Sequence, residues 1–266
     1  MRIRFHLTYD GTAYCGWQIQ PDVPTVEGEL TRAAATILDR RPDDVKVQGA
    51  SRTDSGAHAL GQVAHLQFDA PRSEREFLYG LNALTEDDIC VNRVQRVPED
   101  FHARFDARAK SYRFDIWNGR FPHPLRNRYT WQYGRELDVA PMRRAAEMFE
   151  GRHDFDGFRS ANCQAETSVR TIERVEVRRS GAVVRVTVHG RDFLRYMVRV
   201  MVGTLVEVGS GREPPALVAD VLESGERDCA GVTAPARGLT LLNVVYSEVD
   251  WRDPPPRSPG FDAPEC

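Results

Sequence analysis

The hydrophobic pattern of this chain changes its period several times, and this alternation constrains the fold more than any other sequence feature. Residues 2–10 alternate between apolar and polar side chains from Ile3 to Tyr9, as in a strand that is buried on one face. Residues 26–38 then carry apolar side chains three and four positions apart behind Thr25, which is typical of an amphipathic helix with an N-cap. The chain therefore combines strands with surface helices.

Both patterns recur through the rest of the chain. They predict further strands near 45–50, 62–68, 89–95, 108–117, 169–178, 182–189 and 239–249. They predict further helices over 73–84, around 142–149, over 193–207 with Asp192 as the cap, and between the prolines at 214–215 and Gly225. The strands at 169–178 and 182–189 form a hairpin around a Ser-Gly turn.

This element order predicts an α+β fold with a largely antiparallel sheet. We expect two similar α/β halves, residues 1–107 and 108–251, that form a mostly antiparallel mixed sheet flanked by helices, with a central active-site cleft. The second half repeats the alternation of the first only loosely, and no repeat is visible in the sequence itself. Residues 252–266 are rich in Pro and Asp and are expected to be a disordered tail.

Several broad classes of protein are disfavoured by the sequence. The apolar runs are well short of the roughly 18 residues that a membrane span needs, and residues 1–6 alternate like a strand instead of forming a signal peptide. The cysteines are odd in number and lack a C-x-x-C pair, which fits neither a disulfide framework nor a zinc site. We therefore expect a cytoplasmic protein without a membrane association.

The net charge of −3 and the isoelectric point near 6.2 do not mark a nucleic-acid-binding protein. Residues 101–144, however, carry ten basic against four acidic side chains, interleaved with aromatic residues. Arginine outnumbers lysine 34 to 2, which a general genomic preference for arginine explains as well as a function does. The local excess favours RNA, because arginine bridges phosphate oxygens and stacks on bases. The candidate RNA contacts are Arg104, Arg108, Lys110, Arg126 and Arg128.

The densest group of reactive side chains lies in residues 49–65, GASRTDSGAHALGQVAH, between two predicted strands. A rigid sheet can present such a loop to a cleft. Asp54 follows Arg52 closely, and a nearby arginine favours the ionised form of a carboxylate. The pattern therefore suits a nucleophile that works beside a polyanion. An ordinary Asp-Ser-Gly turn explains the same residues equally well, and the loop on its own leaves both interpretations open.

Other short motifs extend the signal over nearly the whole chain. They lie at 9–20 (YDGTAYCGWQIQ), 52–58 (RTDSGAH), 81–84 (LNAL), 101–105 (FHARF), 112–114 (YRF), 153–155 (HDF), 193–199 (FLRYMVR), 203–205 (GTL) and 234–239 (APARGL). In this order they resemble the motifs of the tRNA pseudouridine synthase A family. Departures are mild, with Ala57 where valine is usual and Val200 where a small polar residue is frequent.

The resemblance implies a cofactor-independent isomerase that converts uridine in tRNA to pseudouridine. Asp54 is implied as the nucleophile, attacking either the ribose anomeric carbon or the uracil ring. Arg199 would pair with Asp54 and keep it ionised. Tyr112 would pack on the uracil, and its hydroxyl would assist proton removal from C5. Arg52 would displace the base from its stack and hold the RNA backbone, and His58 of the same motif is counted with the substrate-binding residues.

Simpler explanations exist for these residues when they are taken one at a time. Tyr112 alternates with apolar neighbours in a predicted strand and would be an ordinary core tyrosine. Arg199 would be a surface residue, but its helix is too hydrophobic for that, so we expect it to point into the cleft. His58 and His65 could suggest a metal, yet their spacing on a strand separates them. We therefore expect structural histidines and no metal.

Two classes of function stay open. One is the RNA isomerase, and the other is a non-catalytic RNA-binding or folding-assistance protein that uses the same cleft. An ionised carboxylate facing a polyanion favours the enzyme, because binding alone does not need it. The resemblance further implies tRNA as the partner, with the anticodon stem-loop uridines 38, 39 and 40 as targets, and a homodimer in which one tRNA touches both subunits.

Overall fold

The computed structural model describes residues 1–246. The strands are β1 (Arg2–Tyr9), β2 (Val47–Gly49), β3 (His58–Gln67), β4 (Ile89–Val97), β5 (Ala109–Trp117), β6 (Trp131–Gln132), β7 (Gly151–Asp154), β8 (Val169–Ser180), β9 (Val183–Gly190) and β10 (Leu239–Val245). The helices are α1 (Val26–Leu38), α2 (Glu74–Leu84), α3 (Val139–Glu147), α4 (Met197–Gly209) and α5 (Leu217–Ser224). The predicted end of the last strand, 247–249, and the predicted disordered tail lie outside the described residues.

All of these strands join one sheet that is mostly antiparallel, which confirms the predicted α+β class. The main path runs β4-β1-β3-β10-β5-β9-β8-β7, while β2 pairs with β3 and β6 pairs with β5. β10 inserts between the two halves of the chain, parallel to β3 and antiparallel to β5. The two predicted halves therefore share one continuous sheet, and their division at residue 107 stays a prediction.

A continuous hydrophobic core joins the sheet to the helices. In β1 the side chains at alternate positions from Ile3 to Tyr9 are buried, as the sequence pattern predicts. Helices α1 and α2 pack against each other, and so do α3 and α4. A smaller cluster around Val63 lies on the opposite face of β3, because Val63 and Ala64 point to opposite sides and Ala64 belongs to the main core.

The predicted helix starts at Thr25 and Ser73 are confirmed. The Thr25 hydroxyl accepts a hydrogen bond from the Gly28 backbone N–H at 3.3 Å. Ser73 and Glu76 form the reciprocal capping box that their spacing predicts. Each cap binds a backbone N–H that the first turn of a helix leaves without a partner. The hairpin between β8 and β9 is confirmed as well.

Two predicted boundaries near the cleft are wrong. The helix predicted over 193–207 begins at Met197, and Asp192 is not its cap because that carboxylate is paired with Arg170. Tyr196 instead stands at the helix start with a left-handed backbone, φ 66°, which a continuing α-helix does not allow. The strand predicted from residue 62 begins at His58. The loop before it therefore covers only residues 50–57.

Candidate active site

The loop of residues 50–57 joins β2 to β3 and is held to the sheet by buried polar side chains. Gln62 of β3 is fully buried and accepts a hydrogen bond from the Ser51 backbone N–H at 3.2 Å. It also donates to the Ser51 carbonyl at 2.7 Å and to the Tyr9 hydroxyl at 3.3 Å. The Tyr9 and Thr53 hydroxyls are hydrogen-bonded at 2.7 Å. Because buried polar groups are costly to leave unpaired, this network fixes the backbone up to residue 53.

Residues 14–17 hold the same loop from its other side. The Trp17 backbone N–H donates to the Thr53 carbonyl at 3.1 Å. Gly16 has φ +91°, and a Cβ atom there would lie 2.7 Å from the Thr53 carbonyl oxygen and 3.2 Å from the carbonyl carbon of Asp54. A side chain at this position would combine an unfavourable backbone conformation with a clash against fixed backbone atoms. The glycine is therefore needed where the two segments meet.

Asp54 and Arg199 form a partly buried ion pair. The carboxylate oxygen Oδ2 of Asp54 accepts a hydrogen bond from Nη1 of Arg199 at 2.8 Å. The two side chains are only 18% and 14% exposed, so their attraction is screened less than that of a surface pair. No residue within 1–246 donates a hydrogen bond to the second oxygen, Oδ1. This oxygen is therefore free to face a substrate.

The guanidinium of Arg199 is held by two further contacts. Its Nε donates to the Ala234 carbonyl at 2.7 Å, and its Cζ atom lies 4.6 Å from the centre of the Tyr196 ring. Arg195 lies against the same ring at 4.9 Å. Cations are attracted to the faces of aromatic rings, so Tyr196 positions Arg199. The left-handed backbone of Tyr196 is the kind of local strain that accompanies functional sites.

Tyr112 of β5 lies beside the loop of residues 50–57 and is almost completely buried, with 5% of its surface exposed. Its hydroxyl is 2.6 Å from the Ser51 hydroxyl oxygen, and its ring meets the edge of Phe193 at 5.0 Å between ring centres. Burial raises the pKa of Tyr112 to about 12, and the charge of Asp54 acts in the same direction, against the hydrogen bond from Ser51. The phenol therefore stays protonated at neutral pH, which favours packing and hydrogen bonding over service as a phenolate base.

His58 lies in the interior of the protein, with 4% of its surface exposed. Its Nδ1 accepts a hydrogen bond from the Gly11 backbone N–H at 3.1 Å, which leaves Nε2 to donate to the Arg237 carbonyl at 3.2 Å. Asp10 is also 3.1 Å from Nδ1, but a nitrogen that accepts from Gly11 cannot donate to Asp10. Burial lowers the pKa of His58, which agrees with a neutral ring. Both ring nitrogens therefore have partners that tie His58 to the segments around Gly11 and Arg237, and its part in substrate binding stays a prediction.

Several cations of the predicted RNA surface lie beside the loop. Arg52 is exposed, and no residue within the described part of the chain forms a hydrogen bond or ion pair with it. Arg126 lies 5.8 Å from the centre of the Trp117 ring, and Arg128 is 3.5 Å from Asp10 with 60% of its side chain exposed. The other predicted contacts lie at or before the start of β5 and are Arg104, Arg108 and Lys110.

The described residues contain neither a metal-binding cluster nor a membrane-spanning helix. Within 1–246 no group of three or more His, Cys, Asp or Glu side chains could hold a metal ion. His65, one of the two histidines whose sequence position could suggest a metal ligand, is buried and accepts a hydrogen bond from the Ala103 backbone N–H at 3.2 Å. In the same part of the chain, no helix is both long enough and apolar enough to span a bilayer.

Sequence reasoning missed the residues that support the site. Gln62 carried a usable signal, since it is a polar amide in the middle of a strand whose following residues are buried. Tyr9 was expected to lie on the buried side of its strand, and its hydrogen bond to Thr53 is visible only in three dimensions. Tyr196 gave no signal, because a left-handed backbone at a non-glycine residue is uncommon.

The chain matches a protein-family model described as tRNA pseudouridine synthase over residues 7–106 and 145–247. Curated relatives described as tRNA pseudouridine synthase A include one from Myxococcus xanthus, 45% identical over 97% of this chain and 96% of the relative. Others come from Citrifermentans bemidjiense, 42% identical over 92% and 98%, and from Acetivibrio thermocellus, 43% identical over 92% and 99%.

One solved structure, of a Cbf5–Nop10–Gar1 complex, aligns with 90% of this chain and 49% of that chain at 11% identity and a TM-score of 0.35. That likeness is too weak to support an inference. The sequence matches are strong, because they cover nearly the full length on both sides and include the segment that carries Asp54. This chain belongs to the tRNA pseudouridine synthase family.

Proposed function

We propose that this protein isomerises uridine to pseudouridine in the anticodon stem-loop of tRNA, with Asp54 as the nucleophile. The observation that carries the proposal is the half-buried ion pair between Asp54 and Arg199, in which one carboxylate oxygen is bonded to Arg199 and the other has no hydrogen-bond partner within residues 1–246. Membership in the tRNA pseudouridine synthase family supports the substrate class. The implied target positions 38, 39 and 40 are part of the proposal.

The reaction is an internal rearrangement and needs no cofactor. Asp54 attacks the target nucleotide, either at the ribose C1′ atom or at the uracil ring, and the bond between C1′ and N1 breaks. The uracil rotates, a bond forms between C1′ and C5, and Asp54 is released. The proton on C5 leaves, and N1 gains one, so the product has the same atoms as the substrate. Neither an oxidant nor a metal is required by this balance.

Three side chains around Asp54 orient the carboxylate, contact the base and stabilise its flipped position. Arg199 orients the carboxylate through its 2.8 Å hydrogen bond. Tyr112 supplies an aromatic surface with a protonated hydroxyl next to the loop. Arg52 is exposed two residues before Asp54 and offsets the cost of flipping a base, on the order of a few kcal/mol. All three are proposed roles.

Two further properties belong to the same proposal. We infer that the protein works in the cytoplasm, because its scattered cysteines suit a reducing compartment. We also infer a homodimer in which one tRNA touches both subunits, an arrangement implied by the family resemblance. Light scattering of the purified protein, alone and with tRNA, measures the second property directly.

Replacing the nucleophile tests the proposed function. Asp54→Asn should lower tritium release from C5-labelled uridine in tRNA by about 10³-fold or more, because the amide cannot act as the nucleophile. Affinity for tRNA should be retained or increased, since a negative charge facing a polyanion is removed. The measurements are single-turnover tritium release and a filter-binding isotherm with the same RNA.

The matched control is Asp69→Asn, which removes an exposed carboxylate at the end of β3 and should leave turnover unchanged. Pseudouridine formed by pure Asp54→Asn protein would refute the assignment of the nucleophile. Tight tRNA binding with no turnover by the wild-type protein would support the second candidate, a non-catalytic RNA-binding protein.

A further inference from the structure

Lys110 lies on the strand that carries Tyr112 and points to the same side of the sheet. The pairing of β5 with β9 is regular from Lys110, opposite Gly190, to Tyr112, opposite Val188. Because alternate residues of a strand share a face, the two side chains stand next to each other, roughly 7 Å apart along the strand. Tyr112 in turn contacts Phe193, the residue that follows Asp192.

The Lys110 side chain is largely buried, and its ammonium group has no bonded partner among residues 1–246. Only 7% of its surface is exposed, and no residue within 1–246 forms a hydrogen bond or ion pair with its ammonium group. A buried cation is costly unless an anion or hydrogen-bond acceptor accompanies it. Packing alone does not explain a lysine at this position, because a methionine side chain would fill a similar space without a charge. The ammonium group of Lys110 is therefore available to an anion from outside the described residues.

The charged neighbours of Lys110 do not neutralise it. Burial lowers the pKa of Lys110 to about 8, the positive charge of Arg104 acts in the same direction, and Asp192 opposes them. Asp192, however, is already committed to an ion pair with Arg170. The local field around the ammonium therefore attracts anions, and a bound phosphate would return the lysine to its ordinary, fully charged state.

We propose that Lys110 binds a backbone phosphate of the RNA next to the target uridine. The proposal rests on the proposed function, because the nucleotide whose base packs on Tyr112 brings its own phosphates to this part of the cleft. Lys110 thus differs from the exposed arginines of the 101–144 segment. It is a buried contact at the reacting nucleotide, whereas they lie on the surface.

Only two lysines occur in the chain, Lys46 and Lys110, and this allows a direct spectroscopic test. Reductive methylation with ¹³C-formaldehyde labels both side chains and keeps their charge. We expect the Lys110 methyl signal of the Asp54→Asn protein to titrate near pH 8 and to shift to a higher titration point when an anticodon stem-loop RNA is added. Lys46 is exposed, whereas Lys110 is largely buried, so the Lys46 signal is the internal control.

A matched pair of variants supplies the affinity measurement, again with Asp54→Asn so that the RNA is not turned over. Lys110→Met should weaken binding about tenfold and reduce the slope of log affinity against log salt by about 0.7 to 0.9. Its thermal midpoint should stay the same or rise, because an uncompensated buried charge is removed. Lys46→Met should change none of these quantities.

The outcomes separate this proposal from the proposed function. A fall in thermal midpoint of Lys110→Met with unchanged RNA affinity would mean a structural lysine and overturn the proposal. An unmoved Lys110 signal with bound RNA would overturn it as well. Absence of both RNA binding and turnover by the wild-type protein would instead overturn the proposed function. A higher titration point for Lys110 together with the smaller salt slope supports the phosphate contact.

Discussion

At the scale of single residues, the geometry of the candidate site depends on polar side chains that each bond two partners at once. Arg199 uses two different N–H groups in two directions, toward Asp54 at 2.8 Å and toward the Ala234 carbonyl at 2.7 Å. The planar guanidinium is suited to this, because its donors form a rigid fork. Gln62 is a second such case, since its amide bonds both the N–H and the carbonyl of Ser51.

A conservative substitution at Arg199 tests this geometry. Arg199→Lys keeps the positive charge but cannot reach Asp54 and Ala234 together, because an ammonium is a single point charge on a flexible stem. We expect kcat to fall at least about tenfold with little change in KM, measured by steady-state tritium release. Arg195→Lys is the control, since Arg195 is exposed and lies against the Tyr196 ring without contacting Asp54. Wild-type kcat in Arg199→Lys would show that charge alone suffices.

At the scale of structural elements, the loop of residues 50–57 is positioned by β3, which follows it, and by segments that precede it in the chain. Residues 14–17 lie against residues 53–56, and β1 supplies Tyr9 to the same network. These contacts hold the loop on both sides. Arg199, which lies on α4 in the second half of the chain, adds the ion pair with Asp54. This arrangement keeps Asp54 in place without placing bulky side chains in the cleft, because the closest approach is made at a glycine.

Gly16→Ala should damage this arrangement. The new Cβ atom would lie 2.7 Å from the Thr53 carbonyl oxygen at a backbone with φ +91°, so the loop must shift. We expect a loss of stability of about 1–3 kcal/mol and a larger loss of turnover. Gly181→Ala is the matched control, because Gly181 also has a positive φ, +54°, but nothing lies within 4 Å of its added Cβ and it stands in the β8–β9 turn.

Denaturant unfolding and single-turnover tritium release of both variants are the measurements. Both should be destabilised by backbone strain, and only Gly16→Ala should lose activity beyond that. Equal activity of the two variants would mean that the close approach at Gly16 does not position Asp54.

At the scale of the whole molecule, β10 brings the two halves of the chain into one sheet, between β3 and β5. The candidate site lies at this junction, because the loop before β3 carries Asp54 and β5 carries Tyr112. Residues far apart in sequence therefore meet where the sheet is continuous. Burial at this junction also places several histidines in the interior, and these histidines lower the folding stability at low pH.

We predict that folding stability falls between about pH 6.5 and pH 4. Burial lowers the pKa of His6 and of His65 from 6.5 to about 4, and it lowers the pKa of His58, His102 and His189 as well. In this window the unfolded chain binds protons that the folded chain does not, so the folded state loses stability as the pH falls. The measurement is the thermal midpoint at pH steps from 7.5 to 4.

His65→Asn is the variant that isolates one contribution. His65 is 3% exposed and accepts a hydrogen bond from the Ala103 N–H, which the asparagine carbonyl can replace. One pKa unit corresponds to about 1.4 kcal/mol, so the lowered pKa of His65 alone contributes on the order of 3 kcal/mol across the window. The midpoint of the variant should fall less steeply with acid than that of the wild type. Identical slopes would show that His65 is not responsible.

Most of the local structure could be predicted from the sequence, because its causes act over short distances. The alternation in β1, the stripe of α1, the Ser73 capping box and the hairpin at Gly181 each depend on residues within a few positions of one another. The order of motifs also indicated the family. The predicted start of α4 was wrong. Asp192 has the ordinary signature of a helix cap, but its carboxylate forms an ion pair with Arg170 of β8.

What only the tertiary structure decided is which side chains meet and which are deprived of water. Asp54 and Arg199 are 145 residues apart and come together because α4 packs beside a sheet whose strand order is set by burial of the whole core. The same packing buries most of the Lys110 side chain and lowers the pKa of His58. Periodicity along a chain reports which face of an element is apolar. The partner of a polar group depends on elements from distant parts of the chain, because one cooperative core determines where all of them lie.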